Sequence, residues 1–111
     1  MNSPTLRPQA LSATAVVTQL TQLNGDAAIG WRLIDGALEK RFLFPNFHET
    51  MAFANAVAWI AHREDHHPEL ALNHGHATVR WRTYDAGGIT VLDFACATAV
   101  DALQAPPRAQ P

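Results

Sequence analysis

The chain has 111 residues, of which 48% are hydrophobic and 16% charged, with a formal net charge of −2. That is the composition of one globular domain with a single core, and it excludes a disordered chain. Eight basic residues against ten acidic ones leave no electrostatic footprint for nucleic acid, and no apolar run approaches the ~20 residues of a membrane span.

Residues 1–10 contain Pro4 and Pro8 and lack an apolar core behind a basic start, so they read as a disordered tail and not as a secretory signal. Leu11 to Leu23 reads as a first helix, with Leu11, Ala15, Val16, Leu20 and Leu23 in one stripe, Ser12 as its cap and Asn24-Gly25-Asp26 as its stop. Ile29 to Ile34 reads as a strand with Ile29, Trp31 and Leu33 on one face. Asp35-Gly36 predicts a hairpin into a second strand, Leu38 to Phe44, where Lys40 falls on the apolar face.

Phe47 to about Arg63 carries Phe53, Val57, Ile60 and Ala61 at helical spacing, and Pro68 limits how far that helix can run. Trp59 lies off this stripe, as an interface residue does. Leu70–His74 and Ala77–Thr83 read as two more strands joined through Gly75-His76, with Arg80 and Arg82 on a solvated face. Asp85-Ala86-Gly87-Gly88 is a loop. Thr90 to Leu103 is a third helix with Leu92, Cys96, Ala99 and Leu103 in its stripe, and Thr90-Val91-Leu92-Asp93 has the form of a capping box. Residues 104–111, with three prolines, read as a second disordered tail. The predicted fold is α+β over residues 11–103: a four-stranded antiparallel sheet with three helices on one face, in the order α-β-β-α-β-β-α.

Five of the six histidines lie between positions 62 and 76. His62 and His66 are spaced to share a helix face, and His74 and His76 to share a strand face. Three readings fit these positions. His-x₃-His with His-x-His is acceptable zinc spacing. Histidines at a helix C-terminus also meet the negative end of its dipole with no chemistry required. Adjacent imidazoles can trade protons near neutral pH. The single cysteine, Cys96, rules out a multi-cysteine zinc site and an intrachain disulfide, fits a reducing cytoplasmic setting, and reads as a small buried hydrophobe.

His66-His67-Pro68-Glu69, followed by Thr83-Tyr84-Asp85-Ala86-Gly87-Gly88-Ile89-Thr90 and Asp93, resembles the pterin-4a-carbinolamine dehydratase family, with Gly30-Trp31 as a further point of likeness. The resemblance implies dimers built by joining sheets edge to edge, some pairing again into tetramers. It implies dehydration of 4a-hydroxytetrahydropterin to quinonoid dihydropterin without a metal or organic cofactor. By position, His66 is the acid–base residue, His67 contacts the pterin or relays a proton, Pro68 fixes the turn beside Glu69, and Asp93 lies near the pocket floor. The chain departs from the family in three places: Tyr84 stands where a third histidine is usual, His62 where an acidic residue is common, and His74 where an aromatic one is usual. Those departures support a second expectation. Some dehydratase-like proteins bind other proteins instead, as assembly factors for Rubisco in carboxysome-bearing bacteria or as a dimerisation cofactor in animals, and the Rubisco large subunit is then the alternative partner.

Overall fold

The computed structural model describes residues 8–104. The elements run α1 (Ala13–Asn24), β1 (Arg32–Ile34), β2 (Ala37–Leu43), α2 (Phe47–Glu64), β3 (Glu69–Leu72), β4 (His76–Trp81) and α3 (Val91–Ala102), with one 3₁₀ turn, Tyr84–Ala86, before α3. The four strands form one antiparallel sheet in the order β1-β2-β4-β3. The expected α+β architecture is therefore present. Of the expected tails, residues 1–7 and 105–111 lie outside the described residues. No described helix is long and apolar enough to cross a membrane.

Burial alternates strictly along β4, where Ala77, Val79 and Trp81 are buried and His76, Thr78 and Arg80 are half-buried. One sheet face thus carries the core, with Leu38 and Phe42 of β2 beside those residues and the helices above. α2 contributes Phe53, Val57 and Ile60 at helical spacing, and α3 contributes Phe94, Cys96, Ala97 and Val100. The α3 stripe is therefore rotated from the expected one: Leu92 and Ala99 only border the core and Leu103 is exposed. A helix apolar on most sides gives periodicity too little contrast to fix its inner face.

Lys40 sits on the core face as its position demands. Its ammonium reaches Asp101 Oδ1 at 2.9 Å, and the same oxygen accepts the Trp31 indole N–H at 3.0 Å, so the buried stem ends in a satisfied charge. Trp59 is 63% exposed on α2.

The sheet differs from expectation in two places. Only Arg32–Ile34 pair as β1. Trp31 is buried, but Ile29 and Leu33 are exposed. The cause is Asn24, whose side chain accepts the Trp31 N–H at 2.7 Å and donates to the Trp31 C=O at 2.9 Å. An amide side chain thereby takes the place of a neighbouring strand. The second difference is a one-residue shift in the β3–β4 turn. Asn73 Oδ1 accepts from the N–H groups of Gly75 and His76 at 2.8 and 2.9 Å, and Asn73 N–H bonds His76 C=O. The tight pair is His74-Gly75, so His74 sits in the turn and His76 opens β4. They do not share a strand face. The β1–β2 hairpin is as expected, with Asp35 and Gly36 both at positive φ, 49° and 78°.

Candidate active site

The C-terminus of α2 sets the position of the paired histidines. Asp65 adopts the left-handed conformation (φ 50°, ψ 44°), its N–H bonds His62 C=O at 3.3 Å, and the next N–H, that of His66, returns to Ala61 C=O at 3.0 Å. These two bonds define a Schellman cap, with aspartate where glycine is usual. His66 is turned off the helix axis and held by its own backbone. Pro68 keeps His67 out of the helical region and leads the chain into β3.

The His66 ring lies flat against the indole of Trp81, with centroids 5.4 Å apart and planes 19° apart. Its Nε2 meets Asp93 Oδ1 at 2.7 Å. The Asp93 side chain is fully buried and that of His66 is 12% exposed. Asp93 belongs to the capping box at the start of α3, which is present as the sequence indicates: its Oδ2 accepts the Thr90 N–H at 2.9 Å. The same oxygen also accepts the Thr83 hydroxyl at 2.8 Å.

The donors around this carboxylate can be ordered. Leu92 N–H donates to Thr90 Oγ1, Thr90 Oγ1 lies 3.0 Å from Thr83 Oγ1, and the Thr83 hydroxyl proton points to Asp93. Each of these partners directs hydrogen toward Asp93 Oδ2. Where Asp93 is ionised, its Oδ1 accepts a proton-bearing Nε2 from His66 and leaves Nδ1 as the nitrogen available for exchange.

His66 opens onto a cleft of about 380 Å³ bordered by Asp65, His67, Arg82, Thr83 and Tyr84. The structure therefore brings His66, His67 and Tyr84 together over Asp93. Glu69 joins them indirectly: its Oε2 accepts the Tyr84 hydroxyl at 3.0 Å and its Oε1 accepts Arg80 Nε at 3.0 Å. Arg80 also pairs with Glu39. Both contacts hold the Glu69 carboxyl below its ordinary range, the Arg80 bond more strongly than the Tyr84 hydroxyl. The two carboxylates raise Arg80 in turn.

The other candidates lie apart. His62 packs on Trp59, with ring centroids at 5.7 Å. His74 is in the turn at the far end of β3 and β4, where its C=O accepts the Thr50 hydroxyl at 3.1 Å. Neither borders the cleft, and Pro68 and Glu69 are also absent from its wall. Among the described residues, no three His, Cys, Asp or Glu side chains are grouped to hold a metal ion. The Cys96 thiol is buried and pushed up to about 12, chiefly by desolvation.

Sequence reasoning missed Thr83, Trp81 and Arg82 as parts of the site. Trp81 was legible only as a core residue of β4. Arg82 lies just past the end of β4 and keeps the alternation of that strand, half-buried like Thr78 and Arg80, with its guanidinium carbon 4.4 Å from the Tyr84 ring centroid.

Residues 9–103 match the family model described as pterin 4 alpha carbinolamine dehydratase. The chain is 49% identical over 73 residues to a protein of Chromobacterium violaceum, covering 66% of this chain and 68% of that one. It is 45% identical over 100 residues to a protein of Paracidovorax citrulli, covering 87% and 83%. Both relatives are provisionally named pterin-4-alpha-carbinolamine dehydratase. Among solved structures, a transcriptional coactivator/pterin dehydratase from Brucella melitensis aligns with a TM-score of 0.77 at 27% identity, covering 86% of this chain and 98% of that one. A pterin dehydratase-like RuBisCO assembly factor of the alpha-carboxysome aligns with a TM-score of 0.56 at 24% identity, covering 70% and 90%, a likeness of fold alone.

Proposed function

Because the chain belongs to the pterin 4 alpha carbinolamine dehydratase family, we propose that it removes water from a 4a-hydroxytetrahydropterin to give the quinonoid dihydropterin. The observation that carries this reading is the His66–Asp93 pair, buried on the Asp93 side and open to the cleft on the other. The reaction consists of two proton transfers. A proton passes to the 4a-hydroxyl, the C4a–O bond breaks and water leaves. A ring nitrogen supplies the electron pair for the new double bond and gives up its own proton, so the proton count is unchanged.

His66 suits the first transfer. Asp93 holds its Nε2 and Trp81 its plane, and Nδ1, protonated from solvent before each turnover, gives that proton to the 4a-hydroxyl. His67, exposed at the cleft, takes the ring-nitrogen proton and passes it to solvent. Tyr84 has its hydroxyl proton on Glu69 and is a wall of the site, not a relay.

The test generates 4a-hydroxytetrahydropterin in situ and follows its dehydration. Wild type should exceed the spontaneous rate, and His66→Ala should lose on the order of 10²–10⁴-fold. A flat wild-type trace would overturn the reading. The second reading, a scaffold for the Rubisco large subunit, takes its support from likeness of fold. A buried carboxylate–imidazole pair facing an open cleft favours the enzyme.

The same proposal includes a cytoplasmic dimer or tetramer. All four residues of the edge strand β3 are exposed, including the apolar Leu70 and Leu72. Sedimentation velocity reads this directly, and a monomer at all concentrations would remove it.

A further inference from the structure

We infer that the favoured ligand carries an oxyanion, a carboxylate or a phosphate, on the pterin side chain, and that Arg82 holds it. The inference rests on the dehydratase reading above and specifies its substrate class.

Arg82 is built as a receptor. Among the described residues no carboxylate is in ion-pair contact with its guanidinium, which reaches Glu69 only through space, whereas Arg80 pairs directly with Glu39 and Glu69 and Arg63 with Glu64. Its position is fixed all the same. The guanidinium carbon sits 4.4 Å from the centroid of the Tyr84 ring, and that ring is pinned because its hydroxyl donates to Glu69, which Arg80 holds from the other side. A guanidinium held over a ring at this distance keeps its N–H groups for a further partner. That arrangement recognises a planar or tetrahedral oxyanion by two parallel hydrogen bonds.

The surrounding space supports the same assignment. Arg82, Thr83 and Tyr84 border the 380 Å³ cleft on one side and, on the other, a recess of about 120 Å³ completed only by Gly36, Gly87 and Gly88. The acidic residues of the cleft, Asp65 and Asp85, border the larger space and not the recess. The recess thus offers an anion the Arg82 guanidinium with no acidic residue in its wall. A neutral bicycle next to His66 with its charged substituent reaching the recess satisfies both halves. Glycine walls admit a compact group and leave no room for a second ring.

The experiment measures equilibrium binding by calorimetry with three oxidised pterins that share one ring: 6-hydroxymethylpterin, pterin-6-carboxylate and 6-hydroxymethylpterin phosphate. Wild type should bind at least one anionic pterin roughly tenfold more tightly than the neutral one, the range of one charge-assisted hydrogen bond. The stronger of the two identifies carboxylate or phosphate as the group recognised. In Arg82→Gln the ratio should collapse toward one, and Arg82→Lys, which keeps the charge but not the fork, should fall between. Equal affinities in wild type, or a preference that survives Arg82→Gln, would overturn the inference while neutral-pterin binding left the dehydratase reading standing. If none of the three binds, the inference falls, and the dehydration assay decides the dehydratase reading separately.

Discussion

The two oxygens of Asp93 face different parts of the molecule. Oδ2 closes the first turn of α3 and receives Thr83, while Oδ1 receives His66. Asp93→Asn keeps the shape and replaces one acceptor by a donor, so either the cap or the histidine is left opposed. Denaturant unfolding should show a loss of about 1–3 kcal/mol, the cost of a buried unsatisfied group, together with a fall in dehydration rate. The capping half of this role was legible in Thr90-Val91-Leu92-Asp93. The His66 bond was reachable only through the family resemblance, because it joins residues 27 positions apart. Thr83 opens the family-like run that ends at Thr90, but nothing local marks its hydroxyl as a partner of Asp93. Asp65 is a second residue-scale case. A non-glycine residue at φ 50° carries backbone strain, so Asp65→Gly should stabilise the fold by about 1 kcal/mol, read as a rise of roughly 4–8 °C in Tm.

At the scale of elements, the entry into β1 depends on a single side chain. Asn24 brackets Trp31 with two hydrogen bonds, and a Cβ on Gly30 would overlap the Asn24 amide. Moving that amide breaks both bonds, so Gly30 is required by close approach. Asn24→Ala should cost about 1–3 kcal/mol in thermal or denaturant unfolding, since it leaves the Trp31 backbone unpaired. The helices were legible to within a residue or two, because Ser12 and Thr90 cap them visibly and apolar residues recur at helical spacing. The strand ends were less so. Alternation carried Trp31 into a strand, where an amide from α1 performs the pairing, and it carried His74 into another, where Asn73 closes the turn one residue early. Both misplacements come from asparagine side chains imitating backbone, which periodicity does not register.

At the scale of the whole molecule, charges knit three strands and the 3₁₀ turn together on the open face of the sheet. Glu39 of β2 and Glu69 of β3 flank Arg80 of β4, and Tyr84 completes the line. The Glu69 carboxyl is depressed in the folded state relative to the unfolded one, so its contribution is present above the unfolded value near 4.5 and is lost as pH falls through the folded value. Glu69→Gln should therefore flatten the fall of the urea midpoint below about pH 4.5, and an unchanged acid slope would count against the network. The Cys96 thiol, raised to about 12 by burial, should resist a thiol reagent at pH 8 until denaturant exposes it. The chain order and the single covered sheet face followed from the sequence, and so did the placing of His66 and His67 at the end of α2. The charge line did not, since its members are drawn from four separate segments. The sharing of Asp93 between helix and histidine also constrains how such a chain diverges. A lineage released from the reaction can replace His66 cheaply, but it keeps Asp93 for as long as it keeps α3. An aspartate retained at this position in a distant descendant is then a record of the fold, and the histidine is the character that dates the loss of chemistry.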